Sequence, residues 1–228
     1  MTSNEFLQEL DTRIAKYDLL CHPFYKAWSA GELTPEDLHE YARDYYPHVK
    51  AFPEYLLKFS ARLEDGSLRK AVRANMNDEL GKNGGRAHSE LWLDFVEGMG
   101  GSRDAEKKPI REIEELVAFF DEMAGFGLPE EALAAFYAYE SQVPRVAGAK
   151  AQGLREMYGA NEATCAYFAL HTTADVLHSQ VWRRRLAELV QDHRKAQEAA
   201  LASAENAAKA LWRALDGVEQ LRMARAAA

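Results

Sequence analysis

Six ionisable side chains sit on helical stripes that otherwise read as apolar. Along Thr164, Tyr167, Phe168, His171, Asp175, His178, Trp182, Leu186 and Leu189, three polar groups interrupt the apolar period. At about 100° per residue, positions 171, 175 and 178 fall within an arc of about 60°, so these side chains leave their helix in one direction. Glu140 occupies the centre of a second stripe, Leu133, Phe136, Tyr137, Val143 and Ala147. Glu79 ends a third, Leu68, Val72 and Met76, and His88 opens a fourth that continues through Leu91, Trp92 and Phe95. Desolvating three unpaired carboxylates costs several kcal/mol each, and protonation or pairing is the usual escape. Two divalent cations resolve the imbalance, and imidazole plus carboxylate without thiolate suits iron or manganese. Helical bundles that hold paired metals commonly use Glu-x-x-His twice; here His-x-x-x-Asp-x-x-His takes its place. The remaining histidines, His22, His39, His48 and His193, are assigned no role.

The elements that must position these groups are helical from end to end, with no alternating run bounded by turn signals. The pattern predicts an all-α fold with helices at 4–19, after His22-Pro23, from Thr34-Pro35, at 67–80, 86–99, 107–124, 129–158 and 161–193, and an Ala-rich helix at 196–222. Thr34 is a cap and Pro35 suits the first turn. Pro144 cannot donate to the carbonyl of Glu140, which predicts a kink beside that carboxylate. Gly81-Lys82-Asn83-Gly84-Gly85 breaks a helix and lacks the Ser or Thr of a phosphate-binding loop. In the Ala-rich helix, Leu201, Leu211, Leu215 and Leu221 provide a docking face.

Composition bounds the function classes. The 228 residues are 47% hydrophobic and 28% charged, which excludes disorder and makes room for a sizeable core in one domain over 1–228, its last part (196–228) being the Ala-rich helix and tail. The net charge of −8, with no long basic surplus, argues against nucleic acid; Arg183 to Arg185 is a solvated helix shoulder. No stretch approaches a membrane span, no leader pattern is present, and two isolated cysteines, Cys21 and Cys165, predict a cytoplasmic protein.

The segments Tyr41-Ala42-Arg43-Asp44-Tyr45-Tyr46, Lys50-Ala51-Phe52-Pro53, Tyr139-Glu140-Ser141-Gln142-Val143-Pro144-Arg145 and His171 to His178 resemble the chlamydial death-domain-associating protein family. That family belongs to the haem-oxygenase-like di-metal oxidases, near pyrroloquinoline-quinone synthase C. The resemblance runs from about Leu10 to Leu189. It implies a haem-oxygenase-like bundle of seven or more helices and a di-iron or iron–manganese centre. It also implies a reaction with dioxygen and external reductant that excises one of the protein's own tyrosines as para-aminobenzoate for folate synthesis. By match to Phe24-Tyr25-Lys26-Ala27-Trp28-Ser29, the sacrificed residue would be Tyr25, with Tyr41 its neighbour and Lys150 the amino donor. Ten residues of straight helix separate Lys150 from Glu140 by about 15 Å, a gap that the kink or another helix must close. The loop between Glu79 and His88 is about two residues longer than the family pattern, which makes Asp78 an alternative to Glu79; the stripe favours Glu79.

Other readings stay open. The same metal site could serve an external amine, fatty acid or quinone-cofactor precursor with repeated turnover. A metal-free relative resembling the thiamine-salvage hydrolases needs a nucleophilic cysteine, and Cys165 lies about 120° from His171 around its helix. A pure interaction module would leave six inward-facing ionisable groups unexplained. The sequence does not decide the metals, the electron donor, or the oligomeric state, a homodimer included.

Overall fold

The computed structural model describes residues 1–103, 108–191 and 193–227. Among them the chain forms ten α-helices and no strand, as the pattern requires. They are α1 (Ser3–Ala15), α2 (Pro23–Ala30), α3 (Pro35–Arg62), α4 (Ser67–Glu79), α5 (His88–Gly98), α6 (Arg111–Phe126), α7 (Pro129–Glu140), α8 (Val143–Glu156), α9 (Glu162–Val190) and α10 (Arg194–Ala226), with a 3-10 turn at Leu19–Cys21. The long α3 packs on α4, α5 and α6, while α9 packs on α5, α7 and α8. α10 runs along α7, the most extensive pairing among the described residues, and also covers α6 and α1. Small side chains permit that close approach: Ala132, Ala135 and Ala138 on α7 and Ala200, Ala204, Ala207, Ala208 and Ala214 on α10 are buried. The Ala-rich segment is therefore a core helix, docked by Leu201, Leu211 and Leu215, although Leu221 stays exposed. Leu189 is likewise exposed, and Val190 takes its place in the core.

Local chemistry explains the boundaries. Thr34 and Asp37 form a reciprocal capping box at the start of α3, with hydrogen bonds of 3.1 and 2.9 Å. The first helix stops at Ala15 rather than 19 because Asp18 accepts from Leu20 N–H and caps the 3-10 turn instead. The segment predicted as one kinked helix over 129–158 is two helices. Pro144 falls in the first turn of α8, where its missing N–H costs nothing. Buried Gln142 ties the break down, donating to Ala138 O at 3.2 Å and accepting from Leu19 N–H at 3.0 Å. The predicted start at Lys107 lies outside the described residues, α9 ends at Val190 rather than at 193, and α10 begins at Arg194.

Gly81 ends α4 with a left-handed φ of 68°, and a Cβ there would lie 2.6 Å from both Ala87 N and Arg86 C. This turn sets Glu79 against His88 across the loop. Gly81→Ala is expected to lower stability by about 1–3 kcal/mol, measurable as a reduced denaturation midpoint.

Candidate metal centre

Four helices deliver the six groups to one place. Glu79 ends α4, His88 begins α5, Glu140 ends α7, and His171, Asp175 and His178 come from successive turns of α9. Five of them are almost fully buried, and the His178 side chain is 12% exposed. The ligand atoms fall into two sets, each with all atoms within 4.8 Å of one another: Glu79, His88 and His171, and Glu79, Glu140, Asp175 and His178. Glu79 belongs to both. Asp78 points the other way, its carboxylate accepting from Asn83 Nδ2 and lying 3.2 Å from His178 Nε2. The geometry thus favours Glu79 over Asp78 and gives Asp78 a separate task, fixing the His178 ring so that Nδ1 faces inward.

The donor atoms converge without satisfying one another. His88 Nδ1 is 2.8 Å from Glu79 Oε2, yet has no hydrogen bond of acceptable angle. His178 Nδ1 is 3.4 Å from Asp175 Oδ1, and both atoms lack partners, as does His171 Nε2. Orphaned buried polar atoms aimed at common points are what a metal site requires and what a packed core avoids. Neighbouring hydrogen bonds hold the set in orientation: His171 Nδ1 pairs with Asp175 Oδ2 at 2.7 Å, Asn75 Nδ2 donates to Glu140 Oε1 at 2.7 Å, and Trp182 Nε1 donates to Glu140 Oε2. Asn75 and Trp182 are supporting residues that sequence reasoning did not single out. Their signal was helical spacing, Asn75 four residues before Glu79 and Trp182 four after His178.

Electrostatics follow from burial. Desolvation drives the Glu140 carboxyl upward, only partly opposed by the charge of His178. Burial would lower His178, but Asp175 and Glu140 outweigh it and push its imidazole up to about 10. Burial would raise Asp175, but His171 and His178 hold its carboxyl down. Without metal, Glu140 and His178 therefore retain protons near neutral pH, and cation binding must displace them. Apparent metal affinity is expected to rise with pH between 6 and 8, about tenfold per unit for each proton displaced, with proton release detectable in weakly buffered titrations.

A second buried constellation lies beside this one. The Tyr25 hydroxyl is 3.1 Å from the Tyr41 hydroxyl, and Lys150 Nζ donates to Tyr41. Lys150 Nζ stands 4.4 Å from the Tyr25 ring centre and 4.6 Å from that of Tyr41. The helix break at Ser141 and Gln142 starts α8 afresh, so Lys150 faces α2 and α3 rather than continuing the line of Glu140. Burial drives the Lys150 amine well below its ordinary value and raises Tyr25 and Tyr41, so all three are pushed toward their neutral forms. A narrow cavity touches Tyr25 and Lys150, and another lies under Glu79, Glu140, His171 and Asp175. Tyr139 and Tyr167 line both and form the partition between them. Cys165 is buried, and burial raises its thiol, the opposite of an activated nucleophile.

Fold and site together define a helical-bundle metalloprotein of the haem-oxygenase-like class. A Shewanella denitrificans domain of unknown function with a heme oxygenase-like fold superposes with a TM-score of 0.81 at 18% identity, covering 98% of this chain and 94% of that one. The family described as iron-containing redox enzymes matches residues 39–212, and the chain belongs to it. It is an oxidoreductase with a metal cofactor. Among curated relatives, the 4-aminobenzoate synthase of Chlamydia muridarum is 40% identical over 193 residues, covering 83% of this chain and 81% of that protein. The 4-aminobenzoate synthase of Nitrosomonas europaea is 36% identical, covering 96% and 93%. No helix among the described residues is long and apolar enough to cross a membrane.

Proposed function

We propose that this chain makes 4-aminobenzoate (para-aminobenzoate), a folate precursor, from its own Tyr25 in a single turnover that consumes dioxygen and external reductant. The observation that carries this reading is the buried hydrogen-bonded chain Lys150–Tyr41–Tyr25 set one tyrosine partition away from the carboxylate and histidine cluster. The names of the relatives at 36 to 40% identity support it. Glu79, His88 and His171 would hold one ion and Glu140, Asp175 and His178 the other, with Glu79 shared, as an iron pair or a manganese–iron pair. Such a pair supplies dioxygen activation and oxidation of a tyrosine.

The chain's own residues do the rest. The Tyr25 ring is already the aromatic skeleton of the product. Burial pushes Lys150 toward the neutral amine, whose lone pair can form a carbon–nitrogen bond, and no carboxylate among the described residues pairs with it. Tyr41 accepts from Lys150 and is hydrogen-bonded to Tyr25, which keeps amine and ring in register. The aromatic walls, Trp28, Tyr45, Trp92 and Phe168, keep water from the reacting groups.

The test is metal analysis of the purified protein, then reduction, exposure to dioxygen, and intact mass with peptide mapping across Tyr25. Two metals per chain, a mass loss at Tyr25 and at most one 4-aminobenzoate per chain are expected. An intact Tyr25 with many turnovers on an added amine, fatty acid or quinone precursor would replace self-modification with conventional oxidase chemistry.

A further inference from the structure

The reaction needs electrons from outside, and the cluster is buried, so some surface must bring a donor near it. Between α4 and α9 lies an open cleft of about 480 Å³. Three of its lining residues, Asn75, His178 and Trp182, are the ones that touch the Glu140 carboxylate. His178 thus belongs to both the cleft wall and the cluster.

The cleft has a chemistry of its own. Asn75 donates its Nδ2 to Glu140 Oε1, and its Oδ1 is left without a partner, in a side chain 3% exposed. An orphaned acceptor there calls for an N–H or O–H donor. At the rim, Lys70 and Arg184 are exposed and have no carboxylate partner among the described residues, in a chain of net charge −8. The carboxylate of Asp78 also lines the cleft but is engaged by His178 and Asn83. Leu177 and Val181 provide an apolar wall, and the volume lies in the range of small-molecule sites, about 300–1,000 Å³.

We propose that this cleft binds the reductant, a small organic anion that gives up two electrons, directs an N–H or O–H at Asn75 and places its negative charge between Lys70 and Arg184. The inference rests on the metal-dependent reading above. Ascorbate and the anionic dihydroflavin mononucleotide share this chemistry. In either case the anion loses two electrons and one proton, becoming dehydroascorbate or oxidised flavin. The two electrons would serve to bring a pair of trivalent ions held by the six clustered residues to the divalent state, and the proton passes to water.

Full-length protein and its Lys70→Glu/Arg184→Glu double variant, altered only at exposed positions, are compared in two measurements. In the first, oxidised flavin mononucleotide is titrated onto metal-free protein by fluorescence quenching, with riboflavin, which lacks the phosphate, and ascorbate as a competitor. Saturable binding of at least one anion, weakened at least tenfold by the charge reversal, is expected. In the second, metal-loaded oxidised protein is reduced anaerobically by each anion and followed by loss of ferric absorbance. The rate should saturate in the parent and fall at least tenfold in the variant, while reduction by cationic reduced methyl viologen does not fall. The anion that saturates at lower concentration identifies the source. Absence of saturable binding by either anion, or binding and reduction rates indifferent to the charge reversal, overturns the proposal. Tyr25 loss driven by methyl viologen shows the self-modifying reaction to stand even then, whereas anion binding with Tyr25 intact under every reductant keeps the cleft and removes that reaction.

Discussion

Tyr25→Phe is expected to yield no 4-aminobenzoate above background, against up to one molecule per chain from the parent, with intact mass unchanged after reduction and exposure to dioxygen. The substitution removes one hydroxyl from a ring that keeps its packing. The lost contact is the hydrogen bond to Tyr41, worth about 1 kcal/mol, so the fold and the six clustered groups should survive and metal content should match the parent. Loss of product with full metal content thus separates a consumed side chain from a damaged site. Were an external compound the substrate, the phenylalanine variant would turn it over at a rate close to the parent's. Lys150→Met offers an independent check on the nitrogen: it replaces a buried amine by an apolar chain, and Tyr25 should then be oxidised, or remain intact, without releasing 4-aminobenzoate.

The second large effect concerns Glu79, the one residue common to both sets of converging donors. Glu79→Ala should reduce bound metal from two ions per chain to near none, whereas His88→Ala, which removes a donor from one set alone, should leave about one. Differential scanning fluorimetry reads the same difference. In the parent, saturating metal stabilises the fold by about 2.7 kcal/mol per site at a hundredfold excess over the dissociation constant, and this shift should vanish in Glu79→Ala. The metal-free variant should be as stable as the metal-free parent or more so, because a desolvated carboxylate has been removed from a buried, incompletely paired cluster. If His88→Ala and Glu79→Ala bind the same number of ions, Glu79 is not shared.

Much of this was legible in the chain itself. The all-α class followed from the helical period, since a buried stripe has to recur every three to four residues. The inward direction of His171, Asp175 and His178 followed from fixed turn geometry on one helix, and the stripes carrying Glu79, His88 and Glu140 placed each of those groups on a core face. The Thr34 cap depended on neighbours three residues apart and was equally local. Resemblance, not spacing, pointed to Tyr25, Tyr41 and Lys150.

Only the tertiary structure decided how these faces meet. That Glu79 serves both sets while Asp78 turns outward to His178 depends on the left-handed turn at Gly81 and on the packing of α4 against α9, which no local pattern encodes. The helix break after Glu140 appears in sequence as a proline and a free carbonyl. Whether that becomes a kink or two helices is settled by Gln142 reaching Leu19 across more than a hundred residues of chain. The same break turns Lys150 toward Tyr41, and the lowered basicity of its amine comes from aromatic walls gathered from α2, α3, α5 and α9. Periodicity determines which way a side chain faces on its own helix; desolvation, convergence of donors and access to a cleft belong to surfaces that exist only once the helices are packed.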